Sequence, residues 1–254
     1  MSMQATDPVS TEPAWPVFRG KLLDRREVAD GTMAFEFEKP AAWAFEAGQF
    51  VDLTLLNPTE TDSEGDTRHF SVASAPFEDT LMIATRMRNA AFKRVLKRLP
   101  VGSEVKIEGP FGDLRLHNNA ARPAAVVSGG IGITPFRSIL KQPVHQNQKH
   151  RISFFYTNRR PEDAIFLEDM CALTRESETF TFVPTMTEMD KSRLAWDGER
   201  GRIDQQMLAK YLAGIKSAIY YVTGPPGMVN GLRTLLEANG VDRDDIRTEE
   251  FTGY

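Results

Sequence analysis

The fold is decided by the stretch SGGIGITPF at residues 128–136. It follows an apolar run, Ala124–Val127, which is typical of a buried strand, and its last residue begins Phe136–Leu140, whose apolar spacing is helical. The stretch is therefore a glycine-rich turn from a strand into a helix. Glycine lets the backbone approach a ligand closely, and a helix N-terminus offers free N–H groups that suit a pyrophosphate. The G-x-G-x-x-G spacing of the usual dinucleotide fingerprint is absent, so an ordinary tight turn is the alternative.

The chain after Arg122 alternates between strands and helices. Strands are expected over 124–128, 151–156, 179–184 and 218–223, and helices over 135–142, 164–176, 205–212 and 228–239. This alternation is the pattern of a parallel sheet with crossover helices. The second half is therefore predicted to be an α/β domain that contains the glycine-rich turn.

The first half has a different pattern, with many short strands. They are expected over 17–26, 32–38, 49–55, 69–73, 80–87 and 104–109, with one helix at 90–99 and a polar surface loop at 59–67. Short strands separated by turn residues favour a barrel or a sandwich. The sequence thus predicts a flexible tail at 1–16, a β-barrel domain at 17–118 and an α/β parallel-sheet domain at 119–254.

Composition and charge exclude several classes of protein. The net charge of −4 argues against general nucleic-acid binding, and no apolar run reaches the length of a membrane span. The single cysteine, Cys171, excludes an intrachain disulfide and a four-cysteine iron–sulfur cluster on this chain. The four histidines lie far apart, so no metal site is predicted. The N-terminus lacks the features of a secretory signal, and a cytoplasmic location is expected.

The tetrapeptide Arg68-His69-Phe70-Ser71 begins one of the predicted strands. Arg68 could make a bidentate contact with a phosphate, Phe70 could stack on a flat ring, and Ser71 could donate a hydrogen bond to a ring nitrogen. A solvated arginine beside a core phenylalanine is the alternative.

The segment Arg86–Arg98 is strongly basic, with six lysines and arginines in thirteen positions. A helix that begins near Asn89 or Ala90 would place free N–H groups there and form a second phosphate cradle. A solvated basic helix face is the alternative.

These motifs, taken in order, resemble those of the ferredoxin–NADP⁺ reductase superfamily. Residues 68–71 are similar to the family's flavin motif, Arg-x-Tyr/Phe-Ser, and residues 99–112 resemble the end of its flavin barrel. Residues 129–135 resemble its pyrophosphate loop, and residues 224–228 resemble its nicotinamide-side loop. The resemblance extends over residues 17–254, including the aromatic C-terminus.

The resemblance implies a flavoprotein oxidoreductase of two domains, an antiparallel flavin-binding β-barrel followed by a nucleotide-binding α/β domain. Such a protein binds FAD, accepts hydride from NADPH or NADH, and passes electrons to a separate acidic carrier such as ferredoxin or flavodoxin. A separate carrier is expected because one cysteine cannot hold a fused iron–sulfur cluster. The alternatives are a flavin or small-acceptor reductase and a flavin-carrying subunit of a larger electron-transfer complex. The oligomeric state stays open.

The resemblance also implies the site residues. Ser71, Thr134 and Thr223 are expected beside the hydride path, with Thr223 standing where many relatives carry a cysteine. Either Phe251 or Tyr254 is expected to cover the flavin face. The expected cofactor-binding residues are Arg68, His69, Phe70, Ser71, Arg86, Met87, Asn89, Ala90, Ala91, Phe92, Gly130, Gly132, Thr134, Asn158, Arg159, Arg160, Gly224, Pro225, Met228, Phe251 and Tyr254.

The segment after the second strand of the α/β domain leaves the choice of nucleotide open. Arg159 and Arg160 could pair with the 2′-phosphate of NADPH. Glu162 or Asp163 could instead accept a hydrogen bond from the free ribose hydroxyl of NADH.

The helix expected at residues 90–99 also offers a docking face for the acidic carrier. The candidates are Lys93, Arg94, Lys97 and Arg98. A concentrated positive face can accelerate association with an acidic partner, although a solvated helix face is the alternative.

Overall fold

The computed structural model describes residues 15–251, which form two six-stranded sheets. In the first sheet every pairing is antiparallel, in the order β4-β3-β6-β1-β2-β5. Its elements are β1 (Val17–Ala29), β2 (Thr32–Glu38), β3 (Phe50–Leu55), β4 (Thr67–Ser71), β5 (Thr80–Arg86), helix α1 (Ala91–Arg98) and β6 (Glu104–Phe111).

The long first strand curves this sheet into a barrel. β1 pairs with β6 over 17–21 and with β2 over 22–29, with register shifts on the β2 side. The strands at the two ends of the sheet come together where the N–H of Ala73 donates to the carbonyl of Met82 at 2.7 Å. Alternation places Phe35 and Phe37 in a fully buried core. The predicted antiparallel barrel is confirmed.

The second sheet is parallel throughout, in the order β10-β9-β8-β7-β11-β12. All six residues of its central strand β7 are buried, as expected for a strand covered on both faces. The predicted α/β domain is confirmed. Its elements are β7 (Ala124–Gly129), α2 (Ile133–His145), β8 (Ile152–Asn158), α3 (Leu167–Glu176), β9 (Phe180–Met186), β10 (Glu199–Arg200), α4 (Gln205–Tyr211), β11 (Ile219–Gly224), α5 (Pro226–Ala238) and β12 (Ile246–Glu250).

The sequence analysis missed the two edge strands of the parallel sheet. β10 contains only two residues, and β12 reads IRTEE, with one apolar residue and no alternation. β12 is a strand because it pairs with β11 from Tyr220–Ile246 to Gly224–Glu250. This pairing places the end of the described chain beside Gly224, at the carboxyl end of β11.

A buried ionic network joins the two halves. Arg137 in α2 has 7% of its side chain exposed and pairs with Glu78, which follows β4, and with Asp169 in α3. Lys141 also contacts the Glu78 carboxylate at 2.6 Å. Burial alone would raise the pKa of Glu78, but the hydrogen bonds and charge of Arg137, together with the contact from Lys141, lower it to about 2.

The connection between the sheets runs from the end of β6 at Phe111 to the start of β7 at Ala124. The expected boundary at residues 118–119 falls within this connection and stays a prediction. One apolar cluster spans both halves, since Ala34 and Met82 of the barrel belong to it together with Phe136 and Ile139 of α2. Among residues 15–251, no helix has both the length and the apolar character that a bilayer crossing needs.

Candidate functional site

A cavity of about 850 Å³ lies where β4, β5, the glycine-rich turn and the end of β12 meet. Its volume is within the usual range for small-molecule sites, roughly 300–1,000 Å³. Its walls therefore come from both halves of the molecule. The lining residues are Phe50, Glu64, Arg68, His69, Phe70, Ser71, Ala84, Thr85, Arg86, Arg88, Ala90, Lys93, Ile131, Thr134, Glu249, Glu250 and Phe251.

Strand β4 contributes the predicted tetrapeptide to this cavity. Phe70 and Ser71 are buried at the cavity wall, and the Phe70 ring packs on Phe92 of α1 at a centroid distance of 5.9 Å. His69 is exposed and contacts the carboxylate of Asp52. All four residues of the tetrapeptide line the cavity, and their expected contacts with a cofactor stay predictions.

The guanidinium of Arg68 is already engaged by the loop before it. Its Nη1 donates to the carbonyls of Glu64, Gly65 and Thr67, at 2.8–3.0 Å. Its Nη2 contacts the carboxylates of Asp62 at 3.1 Å and Glu64 at 2.9 Å. Arg68 therefore lines the cavity with its terminal nitrogens held by the polar loop at 59–67.

The N-terminus of α1 is held by the same loop. Ala90 precedes the helix and has no side chain that could cap it, and the N–H of Ala91 donates to Asp62 Oδ2 at 3.0 Å. Burial opposes ionisation of Asp62, but hydrogen bonds from two backbone N–H groups and from Arg68 hold the pKa of its carboxyl below the usual value. One carboxylate thus bridges the two groups that the resemblance assigns to the flavin phosphates.

Other basic residues of α1 make contacts within the protein. Lys93 lines the cavity and donates to the carbonyl of Arg86 at 2.7 Å. Arg94 pairs with Glu60 and also donates to Asn89 Oδ1 at 2.6 Å. Of the four predicted docking candidates, only Lys97 and Arg98 have mainly exposed side chains.

The glycine-rich turn packs directly against the end of β11. A Cβ atom on Gly132 would lie 3.0 Å from Thr223 Oγ1 and 3.1 Å from the backbone of Gly224, so there is little space for a side chain. Gly130 has a φ of 50°, which favours glycine. Its carbonyl accepts a hydrogen bond from the hydroxyl of Tyr156 at 3.1 Å. The turn therefore depends on the glycines that the sequence analysis singled out.

Thr223 is fully buried, and its hydroxyl donates to the carbonyl of Gly132 at 2.7 Å. It holds the turn against β11 rather than lining the cavity. Thr134 does line the cavity, and its hydroxyl donates to the carbonyl of Ile131 at 3.0 Å. The expected catalytic roles of Ser71, Thr134 and Thr223 stay predictions, and the geometry gives Thr223 a structural contact.

The end of β12 and the residue after it bring Glu249, Glu250 and Phe251 to the cavity. The N–H of Phe251 donates to the carbonyl of Gly224 at 3.0 Å, which places Phe251 at the cavity wall. Burial and the nearby carboxylate of Asp113 raise the pKa of Glu249. Tyr254, the other aromatic expected over the flavin, lies outside the described residues.

A second cavity of about 320 Å³ lies on the other side of the glycine-rich turn, at the carboxyl ends of the parallel strands. This edge is where open α/β sheets bind ligands. Asn158 is buried there, and neither atom of its amide has a hydrogen-bond partner within residues 15–251. The lining residues are Arg86, Gly129, Gly130, Thr157, Asn158, Arg159, Thr187, Pro225 and Met228.

The charged residues considered for nucleotide choice have different environments. Arg159 lines the second cavity with 55% of its side chain exposed, whereas Arg160 is bound to Asp163 by two hydrogen bonds of 2.8 and 2.9 Å. Glu162 accepts hydrogen bonds from the N–H of Arg193 and from Ser192. Desolvation opposes these contacts, which nevertheless lower the pKa of Glu162 to about 2. Only Arg159 of the four candidates lines the cavity.

The structure places most of the predicted residues at one of the two cavities. It also adds Phe50, Lys93 and Ile131 to the first cavity and Thr187 to the second. Thr187 follows β9, the neighbour of β8, so the rule of carboxyl strand ends could have found it. The predicted residues that line neither cavity are Met87, Asn89, Ala91, Phe92, Gly132, Arg160, Thr223 and Gly224.

A barrel joined to a parallel α/β sheet, with a cavity between them and a glycine-rich turn at its edge, defines a two-domain nucleotide-dependent oxidoreductase. Residues 126–234 match the family model of the oxidoreductase NAD-binding domain. The chain is 30% identical over 220 residues to the reductase component of propane 2-monooxygenase from Rhodococcus jostii, a match that covers 84% of this chain and 57% of that protein. The chain spans 57–63% of the length of the monooxygenase reductases that it matches.

Two further relatives match over almost their whole length. Ferredoxin–NADP reductase B of Sorangium cellulosum is 28% identical over 244 residues, which cover 92% of this chain and 97% of that protein. The crystal structure of a ferredoxin NADP⁺ reductase from Neisseria gonorrhoeae superposes with a TM-score of 0.74 at 24% identity, covering 92% of this chain and 98% of that chain. These matches support the membership of the ferredoxin–NADP⁺ reductase superfamily that the motifs predict.

Proposed function

We propose that this chain is an FAD-dependent oxidoreductase that takes electrons from NADPH or NADH and passes them to a separate electron-carrier protein. One observation carries the proposal. Ser71, Thr134 and Phe251 come from three distant parts of the sequence and line a single cavity between the barrel and the parallel sheet. These are positions that the family resemblance assigns to the flavin and to the nicotinamide.

The residues of the larger cavity fit a flavin dinucleotide. Phe70 offers an aromatic surface, Ser71 a hydroxyl, and Arg68 with the N-terminus of α1 offers donors for a pyrophosphate. Phe251 stands at the wall next to the nicotinamide-side loop and would cover the flavin face. When bound, FAD supplies the conversion of a two-electron hydride transfer into single-electron steps, while the protein positions the reactants.

The glycine-rich turn and the smaller cavity fit the nicotinamide nucleotide. Gly129 and Gly130 of the turn line the smaller cavity without side chains, so the backbone before α2 can approach a pyrophosphate. We favour NADPH over NADH, because the cavity is lined by Arg86 and Arg159, and both acids that could hold a ribose hydroxyl are paired elsewhere. Replacing Arg159 with Ala should therefore raise KM for NADPH more than KM for NADH.

An electron-carrier protein is the acceptor that the relatives suggest. Their names describe reductase components of monooxygenases and a ferredoxin–NADP reductase, which suggests that the acceptor of this chain is also a protein. On this chain, the exposed Lys97 and Arg98 of α1 are the proposed contacts for an acidic carrier such as ferredoxin or flavodoxin. A cytoplasmic location belongs to the same proposal.

An anaerobic titration of the purified protein tests the function. The visible absorbance of retained FAD should bleach on addition of NADPH, and at higher concentrations on addition of NADH. A spectrum without flavin, after incubation of the protein with FAD, would contradict the cofactor assignment. Bound flavin that neither nucleotide reduces would contradict the reaction and favour a subunit that works only within a complex.

A further inference from the structure

Arg137 touches three different parts of the molecule with one guanidinium group. Its Nη1 donates to the carbonyl of Ala73 at 2.9 Å and to Glu78 Oε2 at 2.7 Å, and its Nη2 donates to Glu78 Oε1 at 3.1 Å. Its Nε donates to Asp169 Oδ2 at 2.6 Å. Ala73 and Glu78 belong to the barrel half, whereas Arg137 and Asp169 lie in helices of the α/β half.

The places of these contacts in the chain connect them to the larger cavity. Ala73 comes two residues after Ser71, and Arg137 comes three residues after Thr134, one turn further along α2. Ser71 and Thr134 both line the cavity. A single buried side chain therefore joins the backbone segment that carries Ser71 to the helical turn that carries Thr134.

The type of contact matters as much as its place. A guanidinium is planar and projects its five N–H groups in fixed directions, so contacts on several edges determine orientation as well as distance. The Glu78 carboxylate is itself oriented by the N–H of Ala75 at 2.6 Å and by Lys141 at 2.6 Å. Attraction between opposite charges alone would not require the additional bond to the carbonyl of Ala73.

We propose that Arg137 is a positioning residue that sets the distance between the flavin side and the nicotinamide side of the cleft. The inference rests on the proposed function for its catalytic consequence. Hydride transfer depends steeply on the separation of the reacting atoms, and a displacement of about 1 Å can cost on the order of a hundredfold in rate. Arg137 does not touch the reactants in this proposal and acts through the segments that carry Ser71 and Thr134.

The variant Arg137→Lys tests the proposal because it keeps the positive charge and loses the planar set of donors. We expect the rate constant of flavin reduction at saturating NADPH to fall tenfold or more, while FAD content and the Kd of the nucleotide stay unchanged. Arg122→Lys is the matched control. Arg122 also binds a carboxylate, Asp245 at 2.6 Å, and a carbonyl, that of Ser217 at 2.9 Å, but within the α/β half alone.

A second measurement reports domain position without any cofactor. Spin labels on Cys171 and on an introduced cysteine at the exposed Val101 give a distance distribution between the two halves of the apoprotein. We expect a narrow distribution in the parent and in Arg122→Lys, and a shifted or broadened one in Arg137→Lys. If Arg137→Lys does not fold, Glu78→Gln replaces it, because this change removes the charge that faces Arg137 and leaves the arginine in place.

The outcomes separate this inference from the proposed function. An unchanged reduction rate, or an unchanged distance distribution in a variant whose melting temperature alone falls, would show that Arg137 only stabilises the fold and would overturn the proposal. A parent protein whose flavin is reduced by neither nucleotide would overturn the proposed function, while the distance measurement would still decide the positioning role.

Discussion

The two sides of the cleft present the groups that we propose to bind phosphate in different ways. On the barrel side, Arg68 and the N-terminus of α1 are both bound by the carboxylate of Asp62. On the nucleotide side, the donors belong to the backbone of a glycine-rich turn, and Arg159 remains largely exposed beside it. A ligand on the barrel side must therefore exchange the internal contacts of Arg68 and Ala91 for its own. On the other side, Arg159 is 55% exposed and its ion-pair contact with Asp163 is long, at 3.9 Å.

The largest expected effect is on FAD affinity, when the guanidinium of Arg68 is removed from the barrel side. Arg68→Ala should weaken FAD binding by tenfold to a hundredfold, because a hydrogen bond between charged groups contributes about 1.5–3 kcal/mol. Quenching of FAD fluorescence on titration with apoprotein measures the Kd. Arg94→Ala is the control, since Arg94 of α1 also pairs with a carboxylate of the 59–67 loop, that of Glu60, but lines no part of the cavity. Full flavin retention by Arg68→Ala would contradict the proposed contact between Arg68 and FAD.

A glycine substitution should damage the nucleotide side selectively. Gly224 has a φ of 147°, and a Cβ atom there would lie 2.6 Å from Met228 Cε and 3.2 Å from the backbone nitrogen of Gly129. Backbone strain of this kind costs about 1–3 kcal/mol. Gly224→Ala should therefore raise KM for the nucleotide severalfold or more and change the Kd of FAD little.

Gly227→Ala is the control for this change, because an added Cβ there would meet no atom of residues 15–251 within 4 Å apart from its chain neighbours and its own helix backbone. Steady-state kinetics with a small acceptor such as ferricyanide measures both variants. Equal effects of the two substitutions would contradict the special role of Gly224.

Removal of the Asp62 carboxylate should show whether its contacts with Arg68 and Ala91 compete with FAD on the barrel side. Asp62→Ala frees the N–H of Ala91 and removes one of the two carboxylates that contact Arg68, so FAD should bind severalfold more tightly. Asp66→Ala removes the same charge from the same loop, but this carboxylate makes no hydrogen bond or ion pair within residues 15–251. Weaker FAD binding by Asp62→Ala would show that Asp62 orients Arg68 for the cofactor instead of competing with it.

The ion pairs of Glu78 with Arg137 and Lys141, which connect the two halves, should stabilise the protein less at acidic pH. The pKa of Glu78 is lowered to about 2 in the folded protein, below the usual 4.5. A group whose pKa is lower when folded stabilises the protein above its unfolded pKa and loses that contribution as the pH falls through the folded value. The difference in unfolding free energy between the parent and Glu78→Gln should therefore shrink between pH 4.5 and about 2.

Urea unfolding at several pH values measures this difference. Glu104→Gln serves as the control, because its ion pair with Arg19 is largely exposed and should contribute little. A difference that does not change with pH would contradict the role of the Glu78 charge.

The smallest expected effect is on the rate of electron transfer to a carrier, when the exposed basic residues of α1 are replaced. Replacing Lys97 and Arg98 with Glu should slow electron transfer to an acidic carrier a fewfold at low salt, because charge complementarity accelerates encounter. Reduction of ferricyanide by NADPH should stay unchanged. A carrier rate that depends neither on salt nor on these residues would place the docking face elsewhere.

The sequence was sufficient wherever structure follows from local periodicity. Alternating apolar residues predicted β2, and the alternation of strands with helices predicted the parallel sheet. The glycine-rich turn identified the start of α2, because its residue types serve one particular backbone path. The composition of β12 contains no such signal, and this strand exists only because β11 offers it a partner.

Tertiary structure alone decided which of several similar side chains face the site. Arg159 and Arg160 are adjacent and chemically identical, yet Arg160 makes two hydrogen bonds to Asp163, whereas Arg159 lies 3.9 Å from the same carboxylate and lines the cavity. The same holds for Asp62, whose carboxylate reaches a helix that begins 29 residues later. Local patterns report which residues are buried, because burial follows the period of a strand or helix. Ion pairs between distant segments depend on how those segments pack, and the order of residues along the chain does not contain that information.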